Sequence, residues 1–288
     1  MSSPEYRPPR RREAVSSTRS RRQGGAHRKV ETKTRPKFSI ITFLGEILLI
    51  VGMLGMLLAY YEAYWTNRES GKLQEQAATA LDDQWQREYV NPREHHTPNL
   101  GEAFARIYIP SFGSDFQFAL VEGTNDADLE IGPGHYTDTA MPGEKGNFAV
   151  AGHRVGKGSP FNDLGNLKTC DALVVETAST WNVYKVMPTD GANRQEASNC
   201  FTKSQVDKMT IGRYSSVSGR SITLPQDVSV INPIPGTDAA VDEESESLIT
   251  LTTCHPQFSN KERMIIHGML TTSIPKSQGK PVEMIQGA

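Results

Sequence analysis

At 288 residues and a formal net charge of −2, the chain is long enough for one good-sized domain with appendages, since a single core serves on the order of 100–200 residues. The near-neutral total hides a division: Met1–Lys37 holds 12 basic and 3 acidic residues, or +9, while the remainder holds 19 basic and 30 acidic, or −11. An evenly charged surface is thereby excluded.

Residues 1–37 are rich in Arg, Ser and Pro and nearly devoid of large apolar side chains, so they cannot bury enough surface to offset the entropy of ordering. A disordered basic tail is expected, resting on anionic head groups or simply fixing topology. From Phe38 to Tyr61 the chain is apolar apart from Glu46 and a few Ser, Thr and Gly positions. That is enough for a membrane-spanning helix, which needs roughly 20 apolar residues, and too long for the ~7–15 of a cleaved leader. The basic flank places residues 1–37 in the cytoplasm and the rest outside, with Tyr60, Tyr61, Tyr64 and Trp65 at the outer interface.

In the segment 62–103, Leu73, Ala77, Leu81 and Trp85 recur every four residues among polar neighbours, the stripe of an amphipathic helix read here as a stalk. Pro92, Pro98 and Gly101 end it and mark a linker. Over 104–273, short runs of β-branched and aromatic residues alternate with turn residues. Strands are predicted at Phe104–Ile109, Phe116–Glu122, Asn147–Ala151, Ala172–Glu176, Trp181–Met187, Ser221–Leu224, Val228–Ile231, Leu248–Thr253 and Met264–Leu270. So many short strands with little helical periodicity point to an all-β fold, a closed barrel or a sandwich. The polar stretch 190–219 reads as an inserted surface loop with a short helix at Ser204–Met209, and 274–288 as a flexible tail.

Three cysteines, Cys170, Cys200 and Cys254, leave an odd thiol. Pairing Cys170 with Cys200, which an oxidising exterior permits, would keep Cys254 reduced. Cys254 ends the run Leu251-Thr252-Thr253-Cys254, so a strand delivers a thiol to its C-terminal mouth. After a polar turn the chain re-enters an apolar run just past Arg263, which brings a permanently charged donor beside the thiol. A thiol attacking an amide also needs a proton carrier, and histidine suits that task. Of seven histidines, His27 lies in the tail, His95 and His96 in the linker and His267 inside a strand, while His255 points away from its neighbour Cys254. His135 and His153 remain, and His153 closes an apolar strand much as Cys254 does.

Ile249-Thr250-Leu251-Thr252-Thr253-Cys254, with Arg263 nine residues beyond the cysteine, resembles the sortase Thr-Leu-x-Thr-Cys strand and its downstream arginine. Asn147-Phe148-Ala149-Val150-Ala151-Gly152-His153-Arg154 resembles the sortase histidine motif. Ile131-Gly132-Pro133-Gly134-His135-Tyr136, and Cys254-His255-Pro256 with Ser259-Asn260, look like class E sortases of high-GC Gram-positive bacteria. The resemblance runs from about Arg106 to Leu270.

It implies a sortase-like closed β-barrel of about eight strands with short helices, in which Cys254, His153 and Arg263 share one groove as nucleophile, acid/base and oxyanion donor. The substrate would be a surface protein with a Leu-Pro-x-Thr-Gly or Leu-Ala-x-Thr-Gly sorting signal, the acceptor an amine of a peptidoglycan precursor or a pilin lysine. Tyr136 and Thr253 are candidates for contacting the peptide. No cofactor, metal or nucleic acid is expected. A hydrated loop is the reading for Asp242, Glu243, Glu244 and Glu246, although some sortases bind calcium in the equivalent place. Two departures from the pattern stand out, the long insertion and Cys170 where a Gly is common. A pilin polymerase would carry a lid with Asp-Pro and an aromatic, which Asn91-Pro92 and Thr97-Pro98 do not match; a silent wall-binding barrel would lack one of the three reactive residues.

Overall fold

The computed structural model describes residues 39–90, 97–189 and 194–282. The basic tail 1–37, the linker residues 91–96, the insertion residues 190–193 and the terminal 283–288 lie outside them. An apolar helix, α1 (Ile40–Tyr60), is exposed along its whole length and is long and apolar enough to cross a membrane. A π-helical turn, Tyr61–Trp65, follows and leads into α2 (Thr66–Val90).

Nine strands form one sheet: β1 (Ala103–Tyr108), β2 (Gln117–Glu122), β3 (Gly134–His135), β4 (Gly146–Ala151), β5 (Ala172–Glu176), β6 (Thr180–Val186), β7 (Arg220–Thr223), β8 (Ser247–His255) and β9 (Glu262–Pro275). Their order is β6-β5-β1-β2-β3-β4-β8-β9-β7, and a further pairing of β6 with β9 closes eight of them into a barrel. The 14 residues of β9 make this possible, because its N-terminal part, Arg263 to Ile266, pairs with β7 and its C-terminal part, Gly268 to Pro275, with β6. Closure leaves the eight ring strands few open edges to template aggregation. Alternating side chains of the ring fill the interior, among them Ile107, Leu120, Phe148, Val150, Leu173, Tyr184, Ile249, Leu251 and Ile266.

A second core lies under the insertion. Leu248 and Met269 face each other across the β8–β9 ladder and are covered from outside by Ala197, Phe201, Met209, Tyr214 and Val217. The expected surface loop is therefore a packed subdomain, and β8 is buried from Ser247 to Thr253, on both of its faces. Its helix α4 (Lys203–Thr210) starts from a capping box of Thr202 and Gln205. Cys170 and Cys200 are joined as a disulfide that fastens the insertion to the barrel. Cys170 sits at φ 71, the left-handed region where a glycine is the usual occupant.

Three expectations are altered by packing. Val228–Ile231 is a 3-10 helix, not a strand; prolines 225 and 233 bracket it, β6 and β7 already occupy that edge of β9, and the carbonyls of Val230 and Asn232 are taken by the amide of Asn147. The α2 stripe is docked on the barrel and does not stand free as a stalk. Leu81 is 1% exposed against Ala103, Ala119 and Val121, and the Gln74 amide pairs with both N–H and C=O of Ala119 on the open edge of β2. The start of the supposed tail completes β9 and continues to Lys276, whose ammonium lies 3.6 Å from the ring centroid of Trp85 on α2.

Candidate active site

Two neighbours of β8 bring the candidate residues towards one end of the ladder. On one side β9 runs antiparallel and Arg263 is the direct partner of Cys254, so both side chains project from the same face of the ladder. On the other side β4 runs parallel with Ala151 opposite Thr252. Continuing that register by two residues brings His153 level with Cys254, and the Gly152 N–H indeed donates to the Thr252 carbonyl at 3.0 Å. Strand ends on a closed barrel are rigid mounts for such groups.

Cys254 is half-buried and the free cysteine among the described residues. Its Sγ donates to Asn260 Oδ1 at 3.3 Å, across the turn joining β8 to β9. The Arg263 Nη1 donates to the carbonyls of Glu262 at 3.0 Å and Asn260 at 3.4 Å. Its remaining N–H donors have no protein partner among the described residues, so part of the guanidinium fork is free to donate.

His153 is half-buried, but its Nε2 is shielded and has no hydrogen-bond partner among the described residues. Burial pushes its pKa below the usual histidine range; Lys157 adds to the depression, while Asp126 and Glu130 oppose it. The shift favours the neutral imidazole, the form able to take a proton. Close packing fixes its position. A Cβ on Gly152 would come within 2.4 Å of the buried Phe161 ring, so glycine there lets the ring lie against the backbone. The chain then closes the intervening loop with a Phe161 N–H bond to the His153 carbonyl at 3.0 Å.

The loops leaving the two strands are latched to each other. Arg154 Nη1 reaches His255 Nδ1 at 2.6 Å and the Cys254 carbonyl at 3.4 Å, and Gln257 Nε2 donates to Asn162 Oδ1 at 2.6 Å. The His255–Pro256 peptide is cis. Phe258 stands out from this turn, 87% exposed.

Tyr136 continues the β3–β4 pairing through its N–H to the Ala149 carbonyl, and its hydroxyl lies 3.1 Å from Thr252 Oγ1. By the period-2 alternation of a strand, Thr252 shares the face of Cys254. Thr253 lies on the opposite face, 3% exposed, with its hydroxyl donated to the Gly152 carbonyl at 2.7 Å. Thr252 and Asn260 were thus legible only as parts of motifs, although counting alternate residues back from Cys254 finds the former. His135 is placed elsewhere: it is buried, with Nδ1 2.8 Å from Glu122 and Nε2 near Thr139 and the Ala140 carbonyl. His267 is also enclosed, against Thr250. The acidic loop before β8 is met by cations: Arg213 grips Asp242 and holds its carboxyl well below the usual range, Lys208 binds Glu246, and Lys145 binds the Glu243 carbonyl.

Residues 107–271 match the family model described as a sortase domain. Sortase SrtE1 of Streptomyces coelicolor is 32% identical over 249 residues, covering 84% of this chain and 60% of that protein, so the chain spans about three fifths of that relative's length. Sortase SrtE2 of the same organism is 26% identical over 255 residues, covering 85% of this chain and 88% of its own. Among solved structures, the SrtF sortase from Corynebacterium diphtheriae is 60% identical and superimposes with a TM-score of 0.66, covering 69% of this chain and 98% of that one.

Proposed function

Since the chain belongs to the sortase family, whose members are cysteine transpeptidases, we propose that it cleaves a sorting signal between Thr and Gly at Cys254 and transfers the acyl part to an amine of a cell-wall precursor. The observation that supports this reading is the β4–β8–β9 ladder, in which Arg263 pairs with Cys254 and β4 runs parallel to β8 towards His153.

The reaction follows from those three groups. His153 takes the thiol proton as sulfur attacks the threonine carbonyl, and Arg263 donates to the oxygen as it becomes negative. The C–N bond breaks when the imidazolium gives its proton to the departing glycine amine, leaving a thioester on Cys254. An incoming amine gives a proton back to His153, attacks the thioester and releases the thiol. Burial of His153 favours its neutral form in the resting enzyme, which suits the first step. Tyr136, half-buried with its hydroxyl on the buried Thr252 beside the end of the nucleophile strand, lines the approach of the peptide. Thr253 contributes through the backbone, holding Gly152 beside the nucleophile strand.

The finer assignments are a class E enzyme that prefers Leu-Ala-x-Thr-Gly over Leu-Pro-x-Thr-Gly, anchored by α1 with the basic tail inside the cell and the barrel outside. The charge asymmetry of the two flanks supports that orientation. Full-length protein in detergent, given both fluorogenic peptides and an amine, should cleave the alanine peptide faster and form the transfer product. Faster turnover of the proline peptide would remove the class E assignment, and turnover of neither would remove the proposed activity.

A further inference from the structure

We propose that the first turn of α2, through Thr66 and Asn67, is a positioning element for His153, so that the helix leading out of the apolar segment is part of the catalytic machinery. The proposal rests on the reading of His153 as the proton carrier.

The loop between His153 and Phe161 is unusual. Gly156, Lys157, Gly158 and Ser159 have φ of 66, 48, 78 and 45, four left-handed residues in a row. Lys157 and Ser159 have a Cβ and are disfavoured there, so the loop needs support beyond its own turns. That support comes from α2. The Lys157 N–H donates to Thr66 Oγ1 at 3.3 Å, and the next N–H, of Gly158, donates to Asn67 Oδ1 at 2.9 Å. One turn further along α2, the buried Ser70 hydroxyl donates to the Glu130 carbonyl at 2.8 Å, fastening α3 (Asp126–Ile131).

These two attachments hold the charged groups that act on His153. Lys157 lies in the loop, and Asp126 and Glu130 lie on α3; the first disfavours the imidazolium and the other two favour it. Thr66, Asn67 and Ser70 touch none of the reacting atoms, so their part is placement. Nor are Thr66 and Asn67 needed to dock the helix, because Leu81 and Gln74 secure it further along. Their acceptors serve the loop.

The test compares full-length wild type, Thr66→Ala/Asn67→Ala, and Thr66→Ser/Asn67→Asp, which keeps both acceptors, in the same detergent. The peptide that wild type cleaves better gives kcat and KM. The pH dependence of His153 carbethoxylation, read by mass spectrometry, reports the imidazole without requiring turnover. In the alanine pair, kcat should fall roughly tenfold with little change in KM, as for a catalytic group displaced by a fraction of an ångström. The His153 midpoint should move up towards the ordinary histidine value as Lys157 drifts away. Melting temperature should stay near wild type, and the Ser/Asp pair should recover kcat. Unchanged kcat and midpoint in the alanine pair would overturn the proposal, as would an equal loss in the Ser/Asp pair. If wild type cleaves neither peptide while the midpoint still moves, the assigned reaction fails and the tether stands.

Discussion

Gly152→Ala puts the placement of His153 under direct stress. The added Cβ would lie 2.4, 2.8 and 2.9 Å from three carbons of the Phe161 ring, whereas non-bonded carbons settle at roughly 3.5–4 Å. About 1 Å of movement is required, and Phe161 is fully buried with little room to retreat. Gly152 does not have a left-handed φ, so the contact, and not backbone freedom, is what alanine disturbs. Overpacking of this kind costs about 1–3 kcal/mol. For a domain of this size that corresponds to a fall in melting temperature of roughly 2–4 °C per kcal/mol. The backbone that must yield leads straight into His153, and a displacement near 1 Å costs on the order of a hundredfold in rate. Peptide cleavage and a thermal melt read the two effects separately. Adding Phe161→Leu, which removes the ring edge, should restore part of both. A Gly152→Ala enzyme with wild-type kcat/KM and melting temperature would refute the packing argument.

Arg263→Lys should lose most peptide cleavage with little change in stability, because an ammonium does not reproduce the fork that remains free beside Cys254; steady-state rates near wild type would argue against an oxyanion role. Cys170→Ser/Cys200→Ser opens a loop with a sequence separation of 30, and the chain-entropy model puts the loss near 3.5 kcal/mol. Urea unfolding should show that loss while cleavage at low denaturant persists. His267 is fully enclosed and burial pushes its pKa down to about 4. Because the unfolded chain takes up that proton first, stability is fully present above ~6.5 and is lost as pH falls towards 4, by up to about 3 kcal/mol from this group. A His267→Asn variant should therefore show a flatter fall in urea midpoint between pH 7 and 4.5 than wild type, and an identical slope would contradict the assignment.

Much of the barrel was legible because strand residues here are β-branched and bounded by Gly, Pro and Asp. Ala172–Glu176 has the same limits in sequence and structure, and the others shift by a few residues. Two features escaped for physical reasons. The two-residue β3 is too short for any periodicity, and Gly134 is there because a Cβ would meet the Gly123 carbonyl at 2.0 Å. Val228–Ile231 has a strand's composition but lies between Pro225 and Pro233 and turns as a 3-10 helix whose flank is held by the Asn147 amide, a tertiary arrangement that composition does not encode.

The site shows the same division. Cys254, His153 and Arg263 are candidates by residue type and motif, and the ladder pairs Cys254 with Arg263 while β4 runs beside β8 towards His153, 101 positions away in sequence from the cysteine. Sequence alone did not reveal which face each threonine takes, and a motif that singles out Thr253 passes over Thr252, whose side chain shares the nucleophile's side. Nor did the apolar stripe of α2 say what it packs on. An amphipathic helix reads the same whether its partner is another chain or its own barrel, and only Leu81 beneath Ala103 and Val121 settles the matter.

The account stands on a covalent bond to one sulfur. Full-length protein mixed with the better-cleaved peptide and no acceptor amine, quenched in acid and digested, should carry the acyl half of the peptide on the fragment containing Cys254, in a form released by hydroxylamine. An adduct on any other residue, or continued cleavage by Cys254→Ala, would contradict it.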